Sequence, residues 1–311
     1  MSVSSGSGWA LIEPPGHAAK RRDHDNPDRN RDSRLGLTSR KRTRGLSEQP
    51  QTWHYGLVAR WWAEFNAPDP GELAFYHGIV EEDGQPALDL ACGAGRLLIP
   101  LLSAGLDIDG CDISPDMLAF CREGAAREGL TPRLYQQAMH DLNLPRSYRT
   151  IYVCDSFGLG GRRDQDAGAL RRCYDHLAPG GTLVFSHYLP NDDPRHWSAW
   201  LPEQRQRLPE AWPEAGTRKR TANGDDIELR TRLVDLDPME QRQTLEMRAE
   251  LWREGRLVAQ EDRLLQENLY FCNEILLMLV NAGFADVSVR AGYSVKKPTA
   301  DDTMLVFIAR K

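Results

Sequence analysis

The chain has 311 residues, 41% hydrophobic and 27% charged, which allows a sizeable core and excludes a fibrous or low-complexity class. Its net charge of −6 divides unevenly, +4 over residues 1–50 and −10 over the rest, and an acidic body argues against a nucleic-acid groove because phosphate binding is mostly cationic. No apolar run approaches the roughly 18 residues of a membrane-spanning helix, no apolar core of a secretory leader opens the chain, and the six cysteines lie in apolar stretches without a C-x-x-C pair, which reads as reduced thiols of a cytoplasmic protein rather than a zinc or disulfide framework.

Residues 1–50 are rich in Ser, Gly, Arg and Asp without hydrophobic period, so they cannot offset their ordering entropy and are expected to form a disordered basic tail. From Gln51 the composition changes. Tyr55, Val58, Trp62 and Phe65 fall near helical spacing, and a second helix is expected from Gly71 to Val80, so residues 51–82 read as a helical cap.

Strands and helices then alternate. Strands are expected at Ala87–Ala91, Asp107–Asp112, Arg133–Gln137, Thr150–Cys154 and Thr182–His187. Helices are expected from Arg96 to Ala104, from Ser114 to near Gly129, and from Asp164 to Leu177. Ser114-Pro115-Asp116 is a strong helix start, with a serine cap, a proline at the first helical position and an acid at the positive end of the dipole. The β-α-β-α rhythm means a parallel sheet with helices on both faces. Residues 190–268 break it. Ile227, Leu229, Thr231 and Leu233 alternate with polar residues, as do Leu245, Met247, Ala249 and Leu251, with turns at Asn223-Gly224, Asp237-Pro238 and Glu254-Gly255. This is an antiparallel meander inserted after the fifth strand. A helix over Asn273–Val280 and strands near Ala285–Ala291 and Thr303–Ala309 return to the core, which thus comprises residues 83–189 and 269–311.

The chemistry concentrates in ALDLACGAGRLLIPL. Asp89 sits in the strand, and Cys92-Gly93-Ala94-Gly95 turns into the next helix, where glycines let the backbone approach a ligand. The second strand ends in Asp112, placed to bridge two ribose hydroxyls. A Pro179-Gly180-Gly181 turn precedes the fifth strand. A dinucleotide loop would read G-x-G-x-x-G/A, but Leu98 stands at the third position, and the Asp89 carboxylate would repel a pyrophosphate.

On these residues the chain resembles the class I S-adenosylmethionine (SAM)-dependent methyltransferases from about Trp53 to Lys311, and within them bacterial small-molecule enzymes that open with a WHYGLVARWW-like segment and carry a β-rich lid. The resemblance implies a Rossmann-like α/β fold: a seven-stranded sheet of order 3-2-1-4-5-7-6, strand 7 antiparallel, with residues 190–268 as an antiparallel β insert closing over substrate. It implies SAM as cofactor, with Asp89 near the methionine amino group, Gly93 and Gly95 along methionine and ribose, Asp112 on the ribose hydroxyls, and Ile113 and Met139 on adenine. Tyr55 would close over the methionine end, and Cys154, with Asp155 and Ser156, would stand where cofactor and substrate meet. The family often has Asp before the Met139 position. Here Ala138 stands there, and Gln137, His140 or Asp141 are the expected stand-ins.

Methyl transfer asks for an acceptor lone pair held in line behind the methyl group with water excluded, and for a base only where the acceptor loses a proton. His187, at the end of the fifth strand, is the expected base, ahead of His54 and His140. Tyr188, Trp197 and Trp62 are the expected substrate contacts. No metal is expected, since H-E-x-x-H does not occur and H-x-x-x-D occurs only within the tail, at His24–Asp28, and no D/N-P-P-Y/F string points to a nucleobase. The expected partner is a small-molecule acceptor, with neither nucleic acid nor membrane, and a homodimer is the assembly considered. A catalytically silent SAM-binding module and an RNA or protein methyltransferase using the basic tail are the alternatives. Deleting residues 1–48 should leave melting temperature and SAM affinity unchanged, because that stretch has no apolar face to dock. Calorimetry on the truncated chain checks this, and a fall of several degrees would mean that the tail packs.

Overall fold

The structure, a computed structural model, describes residues 52–311. The basic tail expected over residues 1–50 lies outside the described residues. Two helices open the chain, α1 (Gly56–Phe65) and α2 (Pro70–Asp83). Asp69 caps α2 by accepting from the N–H groups of Gly71 (2.8 Å) and Glu72 (3.2 Å), while Glu72 accepts from the Asp69 N–H (3.3 Å), a reciprocal capping box.

The core follows as β1 (Ala87–Leu90), α3 (Leu98–Ser103), β2 (Ile108–Asp112), α4 (Pro115–Arg127), β3 (Leu134–Gln136), β4 (Tyr148–Val153), α5 (Arg163–His176) and β5 (Leu177–Tyr188). Beyond the insert come α8 (Cys272–Ala282), β10 (Asp286–Ala291) and β11 (Met304–Arg310). The sheet runs β10-β11-β5-β4-β1-β2-β3, with β11 antiparallel to both neighbours, which is the expected order. Successive strand residues point to opposite faces. Leu88, Leu90, Ile151, Val153 and Phe185 pack beneath α5 and α8, while Ala87, Ile108, Tyr152 and Val184 pack beneath α2, α3 and α4.

The insert holds two short helices, α6 (Pro194–Ser198) and α7 (Pro202–Arg205), then a four-stranded antiparallel sheet: β6 (Thr217–Arg220), β7 (Asp226–Asp237), β8 (Arg242–Arg253) and β9 (Arg256–Asn268). Its apolar face, with Ile227, Leu229, Leu245, Met247 and Leu265, buries Trp53, Val58 and Trp61, so α1 is wedged between this sheet and α4. Its other face is a ladder of charge pairs, Arg232 on Glu246 and Arg248 on Asp262, with Trp212 held between the two guanidinium groups at 4.4 Å from each. The end of β9 is tied to the core, where buried Asp166 of α5 accepts from Asn268 Nδ2 (2.6 Å) and the Tyr270 hydroxyl (2.7 Å).

Three boundaries differ from expectation. Ala94–Leu97 stay in turns, so α3 begins at Leu98 rather than Arg96. β5 begins at Leu177, because the Pro-Gly-Gly segment lies within it as an irregularity between its pairings with Tyr148 and Thr150. β9 escaped notice because its charges are not confined to alternate positions. Gly110 explains how α3 sits so close to the sheet. A Cβ there would lie 2.7 Å from both Leu98 Cδ2 and Leu134 Cδ2.

Asp89 stands alone as a carboxyl inside β1, 2% exposed. Burial pushes it up to about 7, and the Tyr152 hydroxyl and Arg96 guanidinium offset that only in part. Between about 4 and 7 the folded chain therefore holds a proton that the unfolded chain has lost, and stability falls as pH rises through that window. Asp89→Asn removes this dependence. Without cofactor, its melting temperature relative to wild type should be higher at pH 8 than at pH 5, by more than about 4 °C. Calorimetric scans at the two pH values check this, and an equal offset at both would place the carboxyl in contact with water.

Candidate active site

A single cleft of about 1040 Å³ opens at the C-terminal ends of β1, β2 and β4. Its floor is the loop after β1. Gly93 and Gly95 have left-handed backbones (φ +55° and +87°), and a Cβ on Gly95 would meet Cys121 Sγ and Ile99 Cδ1 at 2.8 Å, so glycine is required there. At the end of β2, Asp112 accepts from the backbone N–H groups of Gly93 (2.9 Å) and Ser114 (2.8 Å). Burial pushes its carboxyl up and these N–H groups pull against it. The contacts fix the carboxylate plane while leaving lone pairs for a pair of vicinal hydroxyls.

Ile113 and Met139 line the cleft beside Asp112, giving an apolar slot of the kind a flat base fills. Of the three stand-ins for the aspartate before Met139, Gln137 is spent on Asn143 (2.8 and 3.2 Å) and Asp141 is exposed. His140 does line the cleft, next to Gln165 (3.1 Å).

The other end holds a buried polar cluster. Arg96, directly after Gly95, lines the cleft and is paired with Glu72, which is 3% exposed at the start of α2. The remaining Glu72 oxygen accepts from the Cys154 thiol (2.9 Å) and the Tyr293 hydroxyl (3.2 Å). Burial and the neighbouring Asp155 push the Cys154 thiol up, so it keeps its proton and donates it. Burial alone would lower Arg96, but Cys154 and Glu72 outweigh it and the guanidinium stays charged. Glu72, Cys154 and Asp155 bring three ligand-type atoms within 4.8 Å of one another, but Arg96 already supplies the cation to Glu72.

Several expected residues stand elsewhere. His187 does not reach the cleft. It is buried against Phe157 and Tyr270, its Nε2 on the Tyr270 carbonyl (3.2 Å), and burial lowers it to about 4. A base must reach the acceptor, so this position serves packing. His54 does line the cleft, beside Trp62 and hydrogen-bonded to Thr52 (2.7 Å), and burial lowers it to about 4 as well, leaving it neutral. Trp197 is 41% exposed on α6, packed against Trp200 and Phe271, and does not line the cleft. Tyr188 is partly buried in the electrostatic neighbourhood of Asp155 and Cys154 without lining the cleft. Tyr55 stands beside Asp112, Asp116 and Arg263, and Asp89 lies one layer beneath the floor. Neither is a cleft-lining side chain. Trp62, Cys154, Ile113 and Met139 do line it. Sequence reading passed over Arg96 and Glu72. The only local signals were the arginine following Gly95 and the acid three residues after the Asp69 cap.

These groups fit SAM. Asp112 matches the ribose hydroxyls and the Ile113–Met139 slot the adenine, and the two glycines clear the floor between them.

Residues 87–181 match the family model described as a methyltransferase domain. The chain is 28% identical over 133 residues to a ubiquinone biosynthesis O-methyltransferase of Methylococcus capsulatus, covering 41% of this chain and 56% of that one. It is 34% identical over 99 residues to a dTDP-3-amino-3,6-dideoxy-alpha-D-glucopyranose N,N-dimethyltransferase of Streptomyces fradiae, covering 31% of this chain and 37% of that one. The matches thus span about half or less of these relatives' length. In fold it is similar to the sugar N-methyltransferase KedS8 from Streptoalloteichus, with a TM-score of 0.61 and 18% identity over 92% of this chain and all of that one. No helix among the described residues is long and apolar enough to cross a membrane. The matched domain, the strand order and the fitted cleft identify residues 87–181 as the methyltransferase domain of a class I, SAM-dependent fold.

Proposed function

We propose that the protein transfers the SAM methyl group to a nucleophilic atom of a small molecule. The observation that carries this reading is the continuity of the cleft. It runs from the Ile113–Met139 slot past Asp112 and Arg96 to Cys154, Asp155 and Ser156, and its volume reaches the upper end of the roughly 300–1,000 Å³ of a single-ligand pocket. Such a cleft has room for a second molecule at the Asp155 end. The matched relatives are named for acceptors of that size, a quinone precursor and an amino sugar.

The bound cofactor supplies an activated methyl group, and the chain's own residues supply position and dryness. Asp112, Arg96 and the glycine loop fix one end of the cleft. Trp62 and Phe65 of α1, with Arg220 and Ala222 at the β6–β7 turn, overhang the glycine loop and exclude water. Residues 190–268 act in this reading as a substrate lid, with the residue 51–82 cap between lid and cofactor. No histidine is needed as base if the acceptor attacks through a neutral lone pair.

The test combines Asp112→Ala with a transfer assay. Losing two hydrogen bonds to a charged acceptor, at roughly 1.5–3 kcal/mol each before compensation, should weaken SAM at least tenfold in calorimetry. Radiolabelled methyl from SAM should appear in members of a panel of amines, alcohols, phenols and thiols with wild type. Unchanged SAM affinity in the folded variant would sink the cofactor assignment, and SAM binding without transfer to any panel member would favour a silent binding module.

A further inference from the structure

Asp155 is a cleft-lining carboxylate that forms no ion pair among the described residues. Its backbone is left-handed (φ +51°), a conformation aspartate tolerates better than most residues. That geometry turns the chain at the end of β4 and sets the carboxyl against the cleft. One oxygen is fixed, since Oδ1 accepts from Ser186 Oγ (2.6 Å) and lies 3.4 Å from the Tyr293 hydroxyl. The Asp155 N–H donates to the same Ser186 Oγ (2.9 Å). The residue is therefore held at its backbone N–H and at one carboxylate oxygen, while Oδ2 is left for a ligand.

No arginine, lysine or histidine forms an ion pair with Asp155 among the described residues. Arg96 is near, but its guanidinium is taken by Glu72 and by Cys154 Sγ (3.1 Å). A partly buried carboxylate, fixed in the cleft and without an ion-pair partner, favours a ligand that brings the cation.

The geometry points to Asp155 as the residue that selects a basic amine as the methyl acceptor. The inference rests on the methyltransferase reading above and narrows its acceptor class. The amine binds as an ammonium and first gives one proton to water in the cleft; the freed nitrogen lone pair then forms the new N–CH3 bond, and the electron pair of the breaking S–CH3 bond stays on sulfur. The positive charge leaves sulfur and arises on nitrogen, and the resulting ammonium later gives its proton to water. A fixed carboxylate beside that nitrogen favours the charge as it forms. An alcohol or thiol acceptor would gain less, because it must shed its proton to reach a neutral product.

The test needs no knowledge of the natural acceptor. Sinefungin, a SAM analogue, carries an ammonium where the transferable methyl stands, and S-adenosylhomocysteine lacks it. Calorimetry should find wild type binding sinefungin at least tenfold more tightly than S-adenosylhomocysteine. Asp155→Asn keeps the acceptor atom for Ser186 and tolerates the left-handed backbone, so it should fold, lose that preference, and hold S-adenosylhomocysteine within threefold of wild type. A preference kept by the variant would overturn the proposal, as would wild type showing none. A parallel loss of both nucleosides would also overturn it, by giving Asp155 to the cofactor's own amino group. Wild type binding neither nucleoside removes the cofactor reading, and this inference falls with it.

Discussion

The buried Glu72 carboxylate joins more of the site than any other group. It accepts from Arg96 behind the glycine loop, from Cys154 at the end of β4 and from Tyr293 in the β10–β11 connection, while its own backbone begins α2. Four segments distant in sequence meet on two oxygens. Removing one partner of such a pair leaves an uncompensated charge in a dry place, so the arrangement is held as a unit. The position of Arg96 follows from this pairing, and with it the width of the cleft between the glycine loop and β4. The capping box at Asp69 completes the constraint by fixing the first turn of α2, and so the height of Glu72 above the sheet.

The insert is positioned by a different force. Its sheet has one charged face and one apolar face, and only the apolar face must be covered. Trp53, Val58 and Trp61 cover it, which leaves α1 gripped between the lid and α4. Directional bonds then set where the gripped unit sits. The Gly56 N–H donates to Asp116 of α4 (2.7 Å), the Gly160 N–H pairs with Gln266 of β9 (2.6 Å), and Asp166 holds the end of β9. Apolar burial supplies the adhesion, and a few hydrogen bonds to core elements supply the register. The overhang of Trp62 and Ala222 above the glycine loop is a consequence of both.

The parallel sheet was legible in the sequence because each of its elements is marked locally. Asp89 and Asp112 end or occupy apolar strands, Ser114-Pro115 starts a helix, and Gly93 and Gly95 sit at a strand-to-helix turn. One half of the cleft is built from those same local segments, and Ile113, Met139 and Asp112, named through the family resemblance, line it together. The acceptor half is not local. Glu72, Cys154 with Asp155, Ser186 and Tyr293 come from four elements or loops, and no spacing rule connects them. His187 shows the same limit from the other side. Its place at the end of a central strand is right for a catalytic group, but the ring points into the Phe157–Tyr270 layer, and which face a strand-end residue takes depends on where the neighbouring helices pack.

Backbone strain marks the same half of the cleft. Among the described residues four non-glycines have left-handed backbones: Ala91, Asp155, Gln241 and Glu254. Gln241 and Glu254 lie in the tight connections β7–β8 and β8–β9, where turn geometry asks for such a residue. Ala91 and Asp155 have no hairpin to serve. They follow the neighbouring strands β1 and β4, and both line the cleft. A strand continuing in extended form would carry the chain on along its own direction, across the space where ligands lie. One left-handed residue at each end turns the chain aside instead, at a cost of order 1 kcal/mol or more per site. The surrounding structure holds both turns: the Ala91 N–H bonds to the Cys111 carbonyl (2.7 Å), and the Asp155 N–H to Ser186 (2.9 Å). Strain that is held in place at two adjacent strand ends, and that opens one shared space, is accounted for by what that space receives.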